Sequence, residues 1–288
     1  MELFLIRLIN GLTSGLLYGL IAFGLTFIQG MLNIPNFAHG AIFAVGAYIA
    51  FTVYSASQSF WLGAVAAFLI AGILGMLIER GLVRKLYRGQ PEDEHYQLLL
   101  LFAVAMVLQE LIIVIWGASG QSVLPPSGLL GAVELGSIFY PKYRLFIFAL
   151  TAILFFVTWL VIEKTKLGAT IRASIENREM VQILGIDVRW VYALSFGFGS
   201  ALAGLGGALS LPIMGAQPFI GFDIIALSFV IVALGGLGNL YGTVVAGLLI
   251  GLTQEFATAF SPIASWVAVY AVMATVLIIR PKGLFGSR

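Results

Sequence analysis

A chain of 288 residues that is 60% hydrophobic and only 10% charged lies far from the composition of a soluble domain, in which roughly a quarter of residues are charged. Its mean hydropathy of +1.05 instead marks a polytopic membrane protein. A net charge of +2 supplies no basic field for nucleic acid. The lack of cysteine excludes disulfides, a thiol nucleophile and a thiolate metal site, and the separation of His39 from His95 argues against a ligand cluster, so neither metal nor cofactor is expected.

The first apolar stretch runs from the beginning of the sequence to about Ile28, too long for the apolar core of a cleavable leader, and is expected to be a retained span. At about 20 apolar residues per crossing, the predicted spans are 8–29, 37–54, 61–79, 98–116, 143–162, 190–211, 222–237, 241–258 and 263–279. The expected fold is an all-α polytopic bundle of eight or nine segments forming one domain over residues 1–288. A closed barrel is excluded because these runs are apolar on every side, without the alternation of barrel strands.

Two interruptions lack Lys and Arg: GMLNIPNFAHG at 30–40 and GGLGNLYG at 235–242. Such sites admit two readings. They are breaks in discontinuous helices at membrane depth, lining a path, or tight turns made by Pro and Gly. In the first break Asn33, Asn36 and His39 offer neutral hydrogen-bonding groups to a zwitterionic or amide-bearing solute. His39 has a second role open to it, fastening the bend to a nearby carbonyl.

Ionisable groups within spans cost about 2.5–3.5 kcal/mol near mid-bilayer and tend to face protein or water. Glu110 beside Gln109 is the foremost candidate, lining a cavity or bonding a neighbouring helix. Glu255 beside Gln254, nearer a span end, is a second. Asp223 sits at the start of its span, where a carboxylate complements helix amides. Glycines spaced by four, such as Gly11, Gly15 and Gly19 or Gly247 and Gly251, predict close helix packing.

The one long polar segment between spans, 164–189, divides into two short helical pieces. Ile171 and Ile175 share a stripe, Asn177 is a candidate N-cap, and Met180, Ile183 and Leu184 lead to a stop at Gly185. Its five basic residues, set against four acidic ones when Glu163 at its edge is counted, disfavour anionic lipid and nucleic acid as partners and suit a protein surface, the plainer alternative being a solvated connector. Twelve of the fifteen basic residues fall in this segment, in the loop of Arg80, Arg84, Lys85 and Arg88, and in the tail of Arg280, Lys282 and Arg288. The positive-inside trend places all three in the cytosol, with the N-terminus external and the C-terminus cytosolic. No phosphate loop, HExxH or GxSxG motif is present, so any nucleotide hydrolysis belongs to another chain.

Four runs carry a family resemblance: NIPNFAHG with the GAY that follows, LGIDVRWVYALSFGFGSALAGLGGAL at 184–209, ALGGLGNLYGTVVAGLLIGL at 233–252, and RPKGLFG at 280–286. Over nearly its whole length the chain resembles the LivH-type permease subunits of branched-chain amino acid ABC transporters. The resemblance implies a bacterial inner-membrane protein working by alternating access. Its partners would be a homologous second permease, two cytosolic ATPases that bind the ATP, and an external solute-binding protein. It also implies a coupling helix over 172–185, with Arg172, Ile175, Asn177, Arg178, Glu179, Ile183, Leu184 and Gly185 as the dock. Small residues are expected where Met180 and Val181 stand. Related permeases handle urea and short amides, and an autonomous carrier using Glu110 and Glu255 is the rival class.

Overall fold

The computed structural model describes residues 2–32, 35–86, 93–135 and 138–286. The helices among them are α1 (Glu2–Leu32), α2 (Ala38–Ser57), α3 (Phe60–Gly81), α4 (Asp93–Trp116), α5 (Lys142–Lys164), α6 (Lys166–Glu176), α7 (Arg178–Ile183), α8 (Val188–Met214), α9 (Ile220–Gly235), α10 (Leu240–Ala257) and α11 (Pro262–Ile279). A hairpin of β1 (Ala132–Leu135) and β2 (Ile138–Pro141) lies between α4 and α5. Eight helices have the length and hydropathy to cross a membrane, and α9 falls short at 16 residues, about 24 Å against a 30 Å hydrocarbon core.

Local sequence sets the helix boundaries. Ser59 accepts a hydrogen bond from the Leu62 amide to open α3, and Asn239 accepts one from Gly242 at 2.8 Å to open α10. Ser261 does the same for α11, with Pro262 in its first turn, where the missing N–H costs nothing. Gln58 at φ +55° ends α2, and Gly215 at φ +72° ends α8.

Glycine decides which helices approach most closely. The largest pairings are α3 with α8 and α1 with α10. Gly15 lies against the Gly247 carbonyl and Gly11 against Leu252, so α1 and α10 run antiparallel with their backbones almost touching. Gly72 meets Ala201 and Gly75 meets Ser200, giving α3 and α8 the same arrangement. The long helices α1 and α8 cross at Gly24 and Gly199, where a methyl group on Gly199 would stand 2.6 Å from the Gly24 carbonyl oxygen. Such small-residue seams drive association where lipid removes the hydrophobic effect between helices.

The pairing pattern is an inverted repeat. The third helix of each half packs on the first of the other, α2 leans on α8 while α9 leans on α1, and α4 flanks α2 as α11 flanks α9. Gly40 of α2 lies against Gly221 of α9, which brings the N-termini of these two helices together. Both termini lie at mid-depth. His39 bonds the carbonyl of Ile21, which precedes the end of α1 by eleven residues, about 16 Å.

One open choice is decided and one expectation changes on this evidence. Within the 30–40 break α1 ends at one face of the bundle at Leu32 and α2 begins in its middle at Ala38, whereas 235–242 is a turn at the face itself. The turn is closed by Asn239 N–H to Gly236 O at 3.0 Å and covered by the tail, where Leu284 N–H bonds Leu234 O and the Asn239 side chain bonds Phe285 O. The true counterpart of the first break is 215–219, which returns the chain from the end of α8 to the N-terminus of α9. Asp223 therefore does not cap a helix at the membrane surface. It lies exposed in the first turn of a helix that starts at mid-depth and has no side-chain cap.

Candidate functional site: a mid-membrane cleft and a polar segment

Where α2 and α9 meet, Phe37, Ala41 and Ala44 face Pro218, Gly221, Phe222 and Ile225, and α4 closes the third side with Ala105, Gln109 and Ile112. The water-accessible space is about 10 Å³, roughly one water molecule, so the cleft is shut. Its sole polar lining side chain is Gln109, more than nine-tenths buried and without a hydrogen bond among the described residues. Neither α2 nor α9 carries a side-chain cap, so backbone N–H groups and the positive ends of two helix dipoles converge here. Asn36, one residue before the cap position of α2, is fully buried with both amide atoms unpartnered.

The predicted pathway residues do not all converge on this cleft. His39 donates from Nε2 to the Ile21 carbonyl at 2.9 Å, pinning α2 to α1, and leaves Nδ1 unpartnered. Asn33 lies outside the described residues. Glu110 turns to the outer surface of α4 while its neighbour Gln109 turns inward, because successive helix residues differ by about 100°. Glu255 is held elsewhere. It accepts from Asn10 Nδ2 at 3.1 Å, Asn10 Oδ1 accepts from Tyr140 and Arg144, and Arg7 bonds the Glu255 carbonyl. This clamp ties α10, the hairpin and α5 to the start of α1, about 16 Å along α1 from Ile21. Half-buried Gln254 sits beside it, its carbonyl accepting from Thr258.

The opposite face gathers the basic segments. Arg84 pairs with buried Glu79 at 3.0 Å and also donates to the Arg189 carbonyl at 2.9 Å, joining the end of α3 to the start of α8. The Arg80 guanidinium lies 3.7 Å above the Trp190 ring. Between α5 and α8, Thr165 caps α6 and Asn177 caps α7, accepting from Met180 N at 3.0 Å. The turn at Gly185 (φ +82°) closes with Gly185 N–H to Gln182 O and Ile186 N–H to Val181 O, the paired bonds of a Schellman motif.

This segment has an inner and an outer side. Val181 is buried with Met31, Val188 and Tyr192, and Ile171 packs beside them. Met180, Ile183 and Leu184 point outward, the last two 78% and 71% exposed, and Ile175 and Glu179 are exposed nearby. The single stripe predicted for Ile171 and Ile175 is thus split between anchor and surface. Val181 is bulky where a small residue was expected because it is the anchor. Arg172 pairs with Glu163 at 3.8 Å and bonds the Ile162 carbonyl, bracing α6 on α5. The Arg178 side chain lies outside what the structure describes.

Some features carried no signal strong enough to be found in the sequence. Pro218 and Gly221 echo Pro35 and Gly40, but the stretch containing them passes for an ordinary external loop. Gln109 was visible only as a neighbour of the charged Glu110.

An inverted-repeat helical bundle with a mid-membrane cleft and a braced polar segment on one face defines a membrane permease. The chain belongs to the family described as branched-chain amino acid transport system / permease component, whose model matches residues 7–280. It is 30% identical to the high-affinity branched-chain amino acid transport system permease protein BraD of Pseudomonas aeruginosa, over 98% of this chain and 96% of that protein. It is 24% identical to the corresponding permease protein LivM of Escherichia coli, over 94% of this chain and 68% of LivM. In fold it matches PsaBC from Streptococcus pneumoniae, solved in complex with Fab, with a TM-score of 0.54 and 12% identity over 99% of this chain and 94% of that one.

Proposed function

We propose that this chain is one of two homologous permease subunits in an ATP-driven importer of branched-chain amino acids in the bacterial inner membrane. The observation that carries the reading is the outward apolar ridge of Met180, Ile183 and Leu184 on a polar, internally braced segment. Exposed apolar side chains rimmed by charge mark a protein contact, and the family supplies the kind of partner, a cytosolic ATPase. Likeness to both BraD and LivM supports a second permease of the same fold. An external solute-binding protein would deliver the solute.

In this mechanism the ATPases bind and hydrolyse ATP, and this chain does no chemistry. Movement at α7 reaches the membrane through Val181 against Met31, Val188 and Tyr192, and through the Arg84 and Arg80 contacts with the start of α8. Shifting such an equilibrium from 1:99 to 99:1 takes about 5.5 kcal/mol of differential interaction, which a loosely held lever could not transmit. Asn36 and Gln109 belong to the path and His39 fastens α2 beside it, while Ile175, Glu179, Ile183 and Leu184 form the dock on a frame of Arg172, Asn177 and Gly185. The basic face is cytosolic, and the end carrying Arg7 and Asn10 is external.

The test is uptake of leucine, isoleucine and valine by proteoliposomes containing this chain, its second permease and the binding protein, with and without the ATPases. ATP-dependent uptake competed by all three amino acids is expected. Uptake by this chain alone would establish an autonomous carrier, and competition by urea in place of leucine would move the substrate to short amides.

A further inference from the structure

We infer that the cleft between the N-termini of α2 and α9 is a binding station for a zwitterionic, apolar amino acid, gated on its docking side by Phe37, Phe102 and Phe229. The inference rests on the importer reading above and assigns it a site.

Three observations converge on this cleft. Two uncapped helix N-termini meet at mid-depth, an arrangement that favours a carboxylate. Gln109, buried and unpartnered, projects into the same space. Its amide is the one side-chain group lining the cleft that could hydrogen-bond a bound polar group. The remaining walls are Ala, Ile, Phe, Pro and Gly, which suit an aliphatic side chain and leave it no polar competitor.

The rim provides the opposite charge. Glu110 follows Gln109 and Asp223 follows Phe222, and both carboxylates are exposed on the isolated subunit near mid-depth. A carboxylate facing lipid at this depth is costly, so this face of α4 and α9 borders water or another chain. Two acids beside a site for a carboxylate fit the ammonium of the same solute. They also place the path on the face that a second permease would cover.

The gate follows from ring geometry. Phe37 lies 4.9 Å from Phe229 and 5.9 Å from Phe102 between ring centroids. Phe102 precedes Gln109 by seven residues on α4, and Phe229 follows Gly221 by eight on α9, so both rings lie about 10–12 Å toward the docking face. Three helices thus close the floor of the cleft with aromatic rings. A small movement of α4, which packs chiefly on α2, would part them.

The chain contains no cysteine, so a single introduced thiol reports alone within this subunit. Ala105→Cys and, separately, Ala44→Cys are placed in the assembled transporter and treated with a water-soluble thiol reagent during turnover, with and without leucine. Labelling that depends on ATP and is slowed at least fivefold by leucine is expected. Thiols that never label, or that label without protection while leucine uptake proceeds, would overturn the site. In the same vesicles Gln109→Leu should raise the KM for leucine about tenfold, Gln109→Asn should recover part of it, and Phe229→Ala should leak leucine without ATP. Tight vesicles with Phe229→Ala and an unchanged KM with Gln109→Leu would likewise reject it. Failure of the unmodified assembly to import leucine would instead reject the importer reading.

Discussion

Gly40 and Gly221 stand backbone against backbone, so a methyl group on Gly221 would lie 2.6 Å from the Gly40 carbonyl oxygen. No real Cβ tolerates that distance, and neither neighbour is a flexible side chain that could withdraw. Two helix N-termini can meet inside the membrane only because both residues are glycine.

Gly221→Ala and Gly40→Ala are therefore expected to destabilise the bundle by about 1–3 kcal/mol, as overpacking does in close-packed interiors. Thermal unfolding in detergent followed by intrinsic fluorescence checks this. Gly81→Ala is the control, since its added methyl group would meet nothing within 4 Å. Equal midpoints for all three variants would contradict the close approach.

The docking ridge predicts a loss of assembly without loss of fold. Leu184→Glu and Ile183→Glu each place a carboxylate in the centre of the proposed contact, at side chains that touch little within the subunit. Central apolar anchors contribute about 2 kcal/mol or more, so co-purification of the ATPases should fall about 30-fold. Glu179→Arg should weaken it by reversing a charge at the rim. Membrane insertion should be unaffected, because Val181 and not Leu184 holds the segment to the bundle.

Arg84 tests transmission separately from docking. Its guanidinium bridges the carboxylate of Glu79 in α3 and the carbonyl of Arg189 in α8, the two helices of the largest pairing. Arg84→Ala removes charge-assisted bonds worth about 1.5–3 kcal/mol. The ATPases should still bind and hydrolyse ATP, but fewer amino acid molecules should cross per ATP consumed. The ratio of leucine uptake to phosphate release measures this, and an unchanged ratio would show that α3 takes no part in coupling.

The number of apolar helices, the grouping of the basic segments and the glycine seams were all legible in the sequence, because they follow from length, charge and small-residue spacing within single segments. The depth of a helix start was not. Residues 215–219 and 235–242 are both links without Lys or Arg, and only the contacts of Gly221 with Gly40 and of Asn239 with Phe285 reveal which link lies within the bundle. Likewise a charged residue drew attention to position 110 when the inward side chain was Gln109. Which side of α4 faces the protein depends on the packing of α2 and α9, which no periodicity in a uniformly apolar helix records.

Glu255 separates the importer from the autonomous carrier. A carrier would need this carboxylate to bind or release a coupling ion, whereas the structure uses it as an acceptor for Asn10 Nδ2. A glutamine carbonyl can accept the same hydrogen bond, so Glu255→Gln is expected to retain ATP-driven leucine uptake within about twofold. Asn10 is the less replaceable partner, since it also accepts from Tyr140 and Arg144 and thereby ties the hairpin and α5 to α1. Asn10→Leu should lower the unfolding midpoint by leaving these donors unmatched, at about 1–3 kcal/mol. Uptake assays and thermal unfolding on both variants separate the cases. Abolished uptake in a stable Glu255→Gln protein would assign the carboxylate an ion-coupling role, while retained uptake beside a destabilised Asn10→Leu protein identifies the network as a structural clamp.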